Sequence, residues 1–322
     1  FEAPTPHEST RTYGIIDPAS PRTTPNAGER TTIGERAEEE IASMMRMIGH
    51  QVDPRQAGNA DAVFPGASMD KGRADQQRAI KMVKKIGRLL MAFGTGSGKT
   101  PTSIGAFTEL YESGATQKGL FLVPKAVEGQ FASEMNTFVE PGRYRWETGD
   151  GKGHQGRVDM MRSKGTHMAV LTHQSATNTL SQILADHTGK DRTVAMAAFR
   201  KLGRKERAQQ MREALDAAGI PRSFVTVDES HMLTTRKGAQ ESDAAMLIGA
   251  LTHPVNATHL LMGSATPMKN DLSEVYSTAA LLDPDTYGNR EKFLRQYGDG
   301  SVEAPDAIRR ELGHMIHTAR CL

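Results

Sequence analysis

The sequence predicts an α/β protein: a three-layer α/β/α sandwich around a mainly parallel sheet, preceded by an extended and helical N-terminal arm. Three observations lead there. Short apolar runs recur at "RLLMAF" (88–93), "GLFLVP" (119–124), "HMAVLT" (167–172), "SFVTVD" (223–228) and "THLLMG" (258–263). Each has strand length and is bounded by Gly, Pro or polar residues, as strands buried on both faces are. Amphipathic stretches with helical spacing separate them, and repeated strand–helix alternation favours a layered sandwich.

Residues 1–32 carry Pro4, Pro6, Pro18, Pro21 and Pro25 among many Thr, Ser and Glu, and read as an extended arm unable to bury a core. A helical stripe follows at Ile33, Ala37, Ile41, Met44 and Ile48, closed by Gly49 and Pro54, so 33–69 reads as a helix and linker. The globular lobe is expected over 70–322. It opens with a helix over "ADQQRAIKMVKKI", with Ala79, Val83 and Ile86 on one face. The helix after the first strand shows Ile104, Phe107 and Tyr111; the next shows Val127, Phe131, Met135 and Phe138. Residues 140–165 are rich in Gly, Arg and Lys and show no regular pattern, while 200–212 form a basic helical run. Each of these two segments is open to two readings, a solvated surface or a contact with a phosphate backbone.

Composition narrows the class. The chain has 322 residues, 37% hydrophobic and 24% charged, enough for a sizeable core. A net charge of +2 neither demands nor excludes nucleic acid, since a local basic face suffices. One cysteine, Cys321, excludes an internal disulfide and a multi-cysteine zinc site, and suits a reducing cytoplasm. No apolar run approaches the ~20 residues needed to cross a bilayer, so no membrane partner is expected. The first residue is Phe1, which suggests a piece of something longer.

The stretch "FGTGSGKT" (93–100) carries the chemistry. A strand stops at Phe93 and a helix begins near Gly98, with Gly94, Thr95, Gly96 and Ser97 between them. Glycines let the backbone curl so that several N–H groups point inward, beside the positive end of the new helix. That is an anion nest of the kind that holds a nucleotide's phosphates, ATP or GTP. Lys99 is placed to reach the β- and γ-phosphates, and Thr100 to set its hydroxyl on Mg2+. Phe93 stands where the strict G-x-x-x-x-G-K-[ST] pattern expects Gly, which is a departure. The second element is "SFVTVDESH", a buried strand ending in Asp228 and Glu229. A carboxylate at a strand tip can hold Mg2+, and its neighbour can orient and deprotonate the attacking water.

"GTGSGKT", "DESH" and "GSATP" (263–267), in this order, resemble motifs I, II and III of superfamily II helicases and translocases, Swi/Snf-type DNA translocases in particular. "LVPKAVEGQFASEM" resembles motif Ia, "AVLTHQS" the motif Ib region, and "GRADQQRAI" the upstream adenine-sensing glutamine segment, where Gln76 matches better than Gln77. "SEVYSTAALLDPDTYGNREKFLRQYG" resembles the segment that follows motif III in that group. The resemblance covers about 70–320 and implies the first of two RecA-like lobes of an ATP- and Mg2+-dependent motor on duplex DNA. It implies coupling roles for Ser264 and Thr266, an adenine contact for Gln76, and nucleic-acid contacts near Lys125, Thr172 and His173. His231 belongs to the second motif and could touch the third. The arginine-bearing Q-x-x-G-R-x-x-R-like motif of a second lobe is not found after Thr266. A second lobe is therefore expected as a partner, and weak ATPase activity from this chain alone. An RNA helicase lobe and a non-catalytic ATP-binding or docking module are the alternatives.

Overall fold

The computed structural model describes residues 74–94, 96–233, 241–265, 272–297 and 313–319. The arm over 1–32, the helix and linker over 33–69, Thr95 and Thr266 lie outside the described residues.

Helix α1 (Ala74–Ile86) leads into β1 (Arg88–Phe93), α2 (Lys99–Glu112), β2 (Gly119–Val123) and α3 (Glu128–Phe138). Then come β3 (Trp146–Thr148), α4 (His154–Arg162), β4 (Met168–Thr172) and three successive helices, α5 (His173–Thr188), α6 (Arg192–Lys201) and α7 (Arg204–Ala217). The chain continues through β5 (Ser223–Val227), α8 (Asp243–Thr252), β6 (Ala257–Gly263), α9 (Leu272–Leu282), α10 (Pro284–Tyr287), α11 (Arg290–Tyr297) and β7 (Ile316–Ala319). The strands form one sheet in the order β3-β4-β2-β5-β6-β1-β7, with every neighbouring pair parallel.

Alternation along the strands feeds two cores. On β1, Leu89, Met91 and Phe93 face α1, α2 and α3, meeting Val83, Phe107 and Phe131. Leu90 faces the other way, into a core built with Leu180, Phe199, Met211, Leu247 and Tyr276. The expected three layers are thus present, and the apolar runs are strands buried on both faces. On the second side, Phe293 of α11 packs against Tyr276 of α9 at 5.4 Å and against Tyr297 at 4.8 Å between ring centroids.

The two basic segments pair with acids, mostly from neighbouring elements. Within 140–165, which holds β3 and α4, Arg143 pairs with Glu112 at 3.2 Å and Lys152 with Glu147 at 3.3 Å. In and around 200–212, Arg200 grips Asp243 at 2.7 Å, and Arg204 and Arg207 share Glu241 at 3.1 and 2.7 Å. These cations clasp α6 and α7 to the start of α8, which favours the surface reading over the phosphate contact.

At the N-terminal ends of the strands, a half-buried Arg88 and a buried Lys118 cap two helices. Arg88 donates through Nε to the carbonyl of Leu282 at 2.8 Å and also bonds that of Leu281, closing the C-terminus of α9. Lys118 donates to the carbonyls of Met160 and Ser163, both at 2.7 Å, closing the C-terminus of α4. A helix end leaves carbonyls without partners, and a cation satisfies them and the helix dipole together. Burial pushes the Arg88 pKa down to about 10 and the Lys118 pKa down to about 8.

Candidate nucleotide site at the C-terminal edge of the sheet

Three adjacent strands, β5, β6 and β1, set the site. Met91 pairs with Gly263, and Val227 with Met262, so their C-terminal tips are level. The glycine loop leaves β1, the acid pair leaves β5, and Gly263–Ser264 leave β6 between them. Crevices at the carboxyl ends of parallel strands are where such sheets bind ligands.

The loop is shaped by backbone that only glycine adopts freely. Gly96 and Gly98 have φ of 76° and 84°, and Gly98 caps the N-terminus of α2. The helix starts at once: the Thr102 amide and hydroxyl donate to the Gly98 carbonyl at 3.1 and 2.7 Å. Pro101 fits in this first turn because its missing N–H has no helical partner to lose. Gln76 of α1 is buried beneath the loop and donates from Nε2 to the Ser97 carbonyl at 3.1 Å. A Cβ on Gly98 would stand 2.1 Å from that Nε2, so a side chain there would displace the Gln76 amide as well as strain the backbone.

Lys99 crosses the gap between the tips. Its Nζ donates to the Phe93 carbonyl at 3.2 Å and lies 4.0 Å from Glu229 Oε1. Gly263 keeps the corridor open, since a Cβ there would lie 3.2 Å from both Asp228 Oδ1 and Lys99 Cδ. Asp228 Oδ1 is buried with no hydrogen-bond partner. Burial first, and then the Glu229 charge, push the Asp228 pKa up to about 6, against the pull of Lys99. Glu229 has φ of 48°, the one positive φ at a non-glycine residue among the described residues. Its Oε2 meets His231 Nδ1 at 3.1 Å, and the same nitrogen lies 3.2 Å from Ser264 Oγ. Backbone strain of this kind persists where the surroundings over-determine it, and it clusters at working sites.

An orphaned buried carboxylate oxygen beside Lys99 and Thr100 fits a divalent cation. Mg2+ is usually held by one or two carboxylates together with substrate phosphates and water. Gly96, Gly98, Lys99, Thr100, Asp228 and Glu229 line a single cleft.

The structure therefore gathers Gln76, Gly94, Gly96, Ser97, Gly98, Lys99, Thr100, Asp228, Glu229, His231 and Ser264 around one edge. The residues expected at nucleic acid stand differently. Lys125 is exposed at the tip after β2, but pairs with Glu128 at 2.6 Å and Asp150 at 3.0 Å. Thr172 is buried, and its hydroxyl accepts from the Ser175 amide at 3.0 Å as the N-cap of α5. His173 is buried too, with its ring turned toward the β5 tip. Neither of these two side chains is presented to a surface ligand.

Some participants were missed in the sequence. Glu134 lines the cleft from α3, one position off the apolar stripe used to predict that helix. His317 of β7 is buried, contacts the Asp75 carbonyl through Nε2 at 3.0 Å and packs edgewise on Phe93 at 5.6 Å. It thereby anchors the start of α1, next to Gln76. A lone histidine in a short strand gives no sequence signal of that role.

These strands, loop and acid pair define the class: a first RecA-like lobe of the superfamily II helicase and translocase type. The model of the SNF2-related domain matches residues 75–320, and the chain belongs to that family. It is 23% identical over 214 residues to chromodomain-helicase-DNA-binding protein 6 of Rattus norvegicus, covering 66% of this chain and 7% of the relative. Among solved structures it is similar to the Sulfolobus solfataricus SWI2/SNF2 ATPase core in complex with dsDNA, at TM-score 0.55 and 13% identity, over 78% of this chain and 44% of that one. The SWI2/SNF2 ATPase core domain of the same organism gives TM-score 0.51 and 14% identity, over 77% and 43%. At such identities the structural likeness concerns the fold. The chain spans only a small part of the curated relative and under half of either solved structure. No described helix is long and apolar enough to cross a membrane.

Proposed function

We propose that this chain is the ATP-binding lobe of a DNA-dependent ATPase that couples Mg-ATP hydrolysis to movement on duplex DNA. The observation that carries the reading is the convergence across Gly263. Lys99 Nζ lies 4.0 Å from Glu229, and the Asp228 oxygen beside it is buried without a partner. The relatives support the DNA part: one is named a DNA-binding helicase, and one solved structure is a complex with dsDNA.

In this reading the amides of 94–100 bind the phosphates, and Lys99 presents its ammonium to the β- and γ-phosphates. Thr100 and Asp228 hold Mg2+, which supplies neutralisation of the phosphate charge. Glu229 orients the attacking water and takes its proton, with His231 fixing the carboxylate from the other side. Ser264, on the same histidine nitrogen, links this acid to the β6 tip. Gln76 braces the loop from below, and a base contact by Gln76 belongs to the same proposal. An arginine from a second lobe completes the charge stabilisation. Without it, turnover is expected to be slower by roughly 10³–10⁵-fold.

Two variants test the reading in the full-length protein. Lys99→Ala is expected to remove ATP hydrolysis, with kcat/KM falling by at least about 10²–10³-fold. Glu229→Gln is expected to bind ATP and retain it unhydrolysed. Normal turnover by the glutamine variant would remove Glu229 from its role. Stimulation by RNA but not by duplex DNA would move the substrate to RNA.

A further inference from the structure

The sheet order β2-β5-β6-β1 puts the acid pair between two walls. The glycine loop leaves β1 on one side, and α3, which follows β2, stands on the other. Together they bound the cleft lined by Lys99, Asp228 and Glu229. The wall from α3 and its cap is a single stripe: Val127, Gln130, Phe131, Glu134, Thr137 and Phe138. Residues three and four apart share a helix face, so the stripe is continuous. Three of its six side chains are apolar hydrocarbons and one is charged, Glu134.

That charge is steadied but not neutralised. Gln130 Nε2 donates to Glu134 Oε1 at 2.8 Å across one turn of α3. Glu134 is half-buried, and no cation among the described residues pairs with it. Lys125, the cation just before α3, is taken by Glu128 and Asp150. The cleft lining thus sets three carboxylates, Asp228, Glu229 and Glu134, against one cation, Lys99. The amides of the glycine loop add partial positive charge on the β1 side alone. A phosphate chain laid along that loop ends against an uncompensated acid. Like charges in a cleft repel, and solvent screens them less there than on an open surface. A divalent cation on the phosphates lowers their charge by two and weakens the repulsion.

We propose that Glu134 is a specificity-determining residue: it presents a fixed negative charge to the terminal phosphate, so that the cleft accepts a triphosphate carrying its Mg2+ and repels the bare polyanion. This deepens the proposed ATPase reading and rests on it. Glu134 ligates nothing in this role and acts across the cleft by charge. The metal requirement of nucleotide binding is thereby set partly from α3, outside the glycine loop and the acid pair.

The test measures affinity of the full-length protein for a fluorescent ATP analogue, once in saturating Mg2+ and once in excess EDTA. Wild type is compared with Glu134→Gln, Glu134→Ala and Glu134→Asp. Glutamine keeps the shape without the charge; aspartate keeps the charge. In EDTA, Glu134→Gln and Glu134→Ala are expected to bind about 5- to 20-fold tighter than wild type. In Mg2+ both are expected to stay within about twofold of it. Glu134→Asp is expected to keep the wild-type preference for the Mg2+ form. Raising salt from about 0.05 to about 0.5 M should shrink the gap between wild type and Glu134→Gln in EDTA, because a through-space effect is screened. Equal affinities of the two in EDTA overturn the proposal. So does a shift by the same factor in both conditions, which marks altered packing. Selective loss of binding in Mg2+ would make Glu134 a metal ligand and overturns it as well. In these three cases wild type still binds nucleotide and the ATPase reading stands. If Glu134→Gln does not fold, Glu134→Ala against Glu134→Asp carries the same comparison. No nucleotide binding by wild type in Mg2+ overturns the ATPase reading and this inference with it.

Discussion

The two ends of the same sheet treat buried charge in opposite ways. At the N-terminal ends, half-buried Arg88 and buried Lys118 are bonded to carbonyls at the ends of α9 and α4. At the C-terminal ends, half-buried Asp228 has one buried oxygen unmatched, beside a glutamate in a conformation that side chains rarely adopt. A charge out of water is tolerable when paired and destabilising when alone. The contrast separates an edge whose cations are bonded to helix ends from one that leaves a carboxylate oxygen unmatched.

Four substitutions would break or sharpen that contrast. The largest effect is expected at the satisfied edge. Lys118→Met leaves two helix-end carbonyls without their donor and should cost about 3 kcal/mol, read by chemical denaturation, with nucleotide affinity unchanged in the folded fraction. The opposite sign is expected at the other edge. The Asp228 pKa rises from 3.8 to about 6 on folding. The folded protein therefore holds an extra proton between those values, stability falls as pH rises through that window, and the full penalty is present above it. Asp228→Asn should remove this slope and gain up to about 3 kcal/mol at neutral pH, while losing Mg2+-dependent ATP binding. A variant no more stable than wild type at neutral pH would show that the orphaned oxygen is not a source of instability. A smaller effect is expected at Gly263→Ala, whose methyl presses on Asp228 and Lys99. It should cost about 1 kcal/mol in stability and roughly tenfold in kcat/KM for ATP. The smallest belongs to Lys205→Ala, which removes an exposed pair with Asp285 at 2.8 Å and should leave the melting temperature unchanged within error.

Legibility in the sequence followed burial. "GLFLV" and "SFVTV" are strands buried at every position, and their unbroken apolar character shows through. Trp146–Thr148 is a half-exposed edge strand of three residues, too short for any period, so β3 vanished into a basic loop. β7 carries His317 inward, a polar residue in a core position, and has no apolar signature. The glycine loop and acid pair were readable because their chemistry is local: a lysine after glycines, two acids after a strand. The corridor at Gly263, the cleft face of Glu134 and the inward turn of His173 depend on which strands are neighbours. That order, with β6 between β5 and β1, is a property of the folded sheet and not of any one segment. It is also why Thr172 and His173, sited by motif alone, were expected outside and are found within.

The contact between His317 and Asp75 joins points 242 residues apart in the chain. Its consequence is mechanical. It ties the start of α1, and with it the Gln76 side chain that bonds the Ser97 carbonyl, to the edge strand β7, so weakening that edge would loosen the brace under the glycine loop without touching the loop itself.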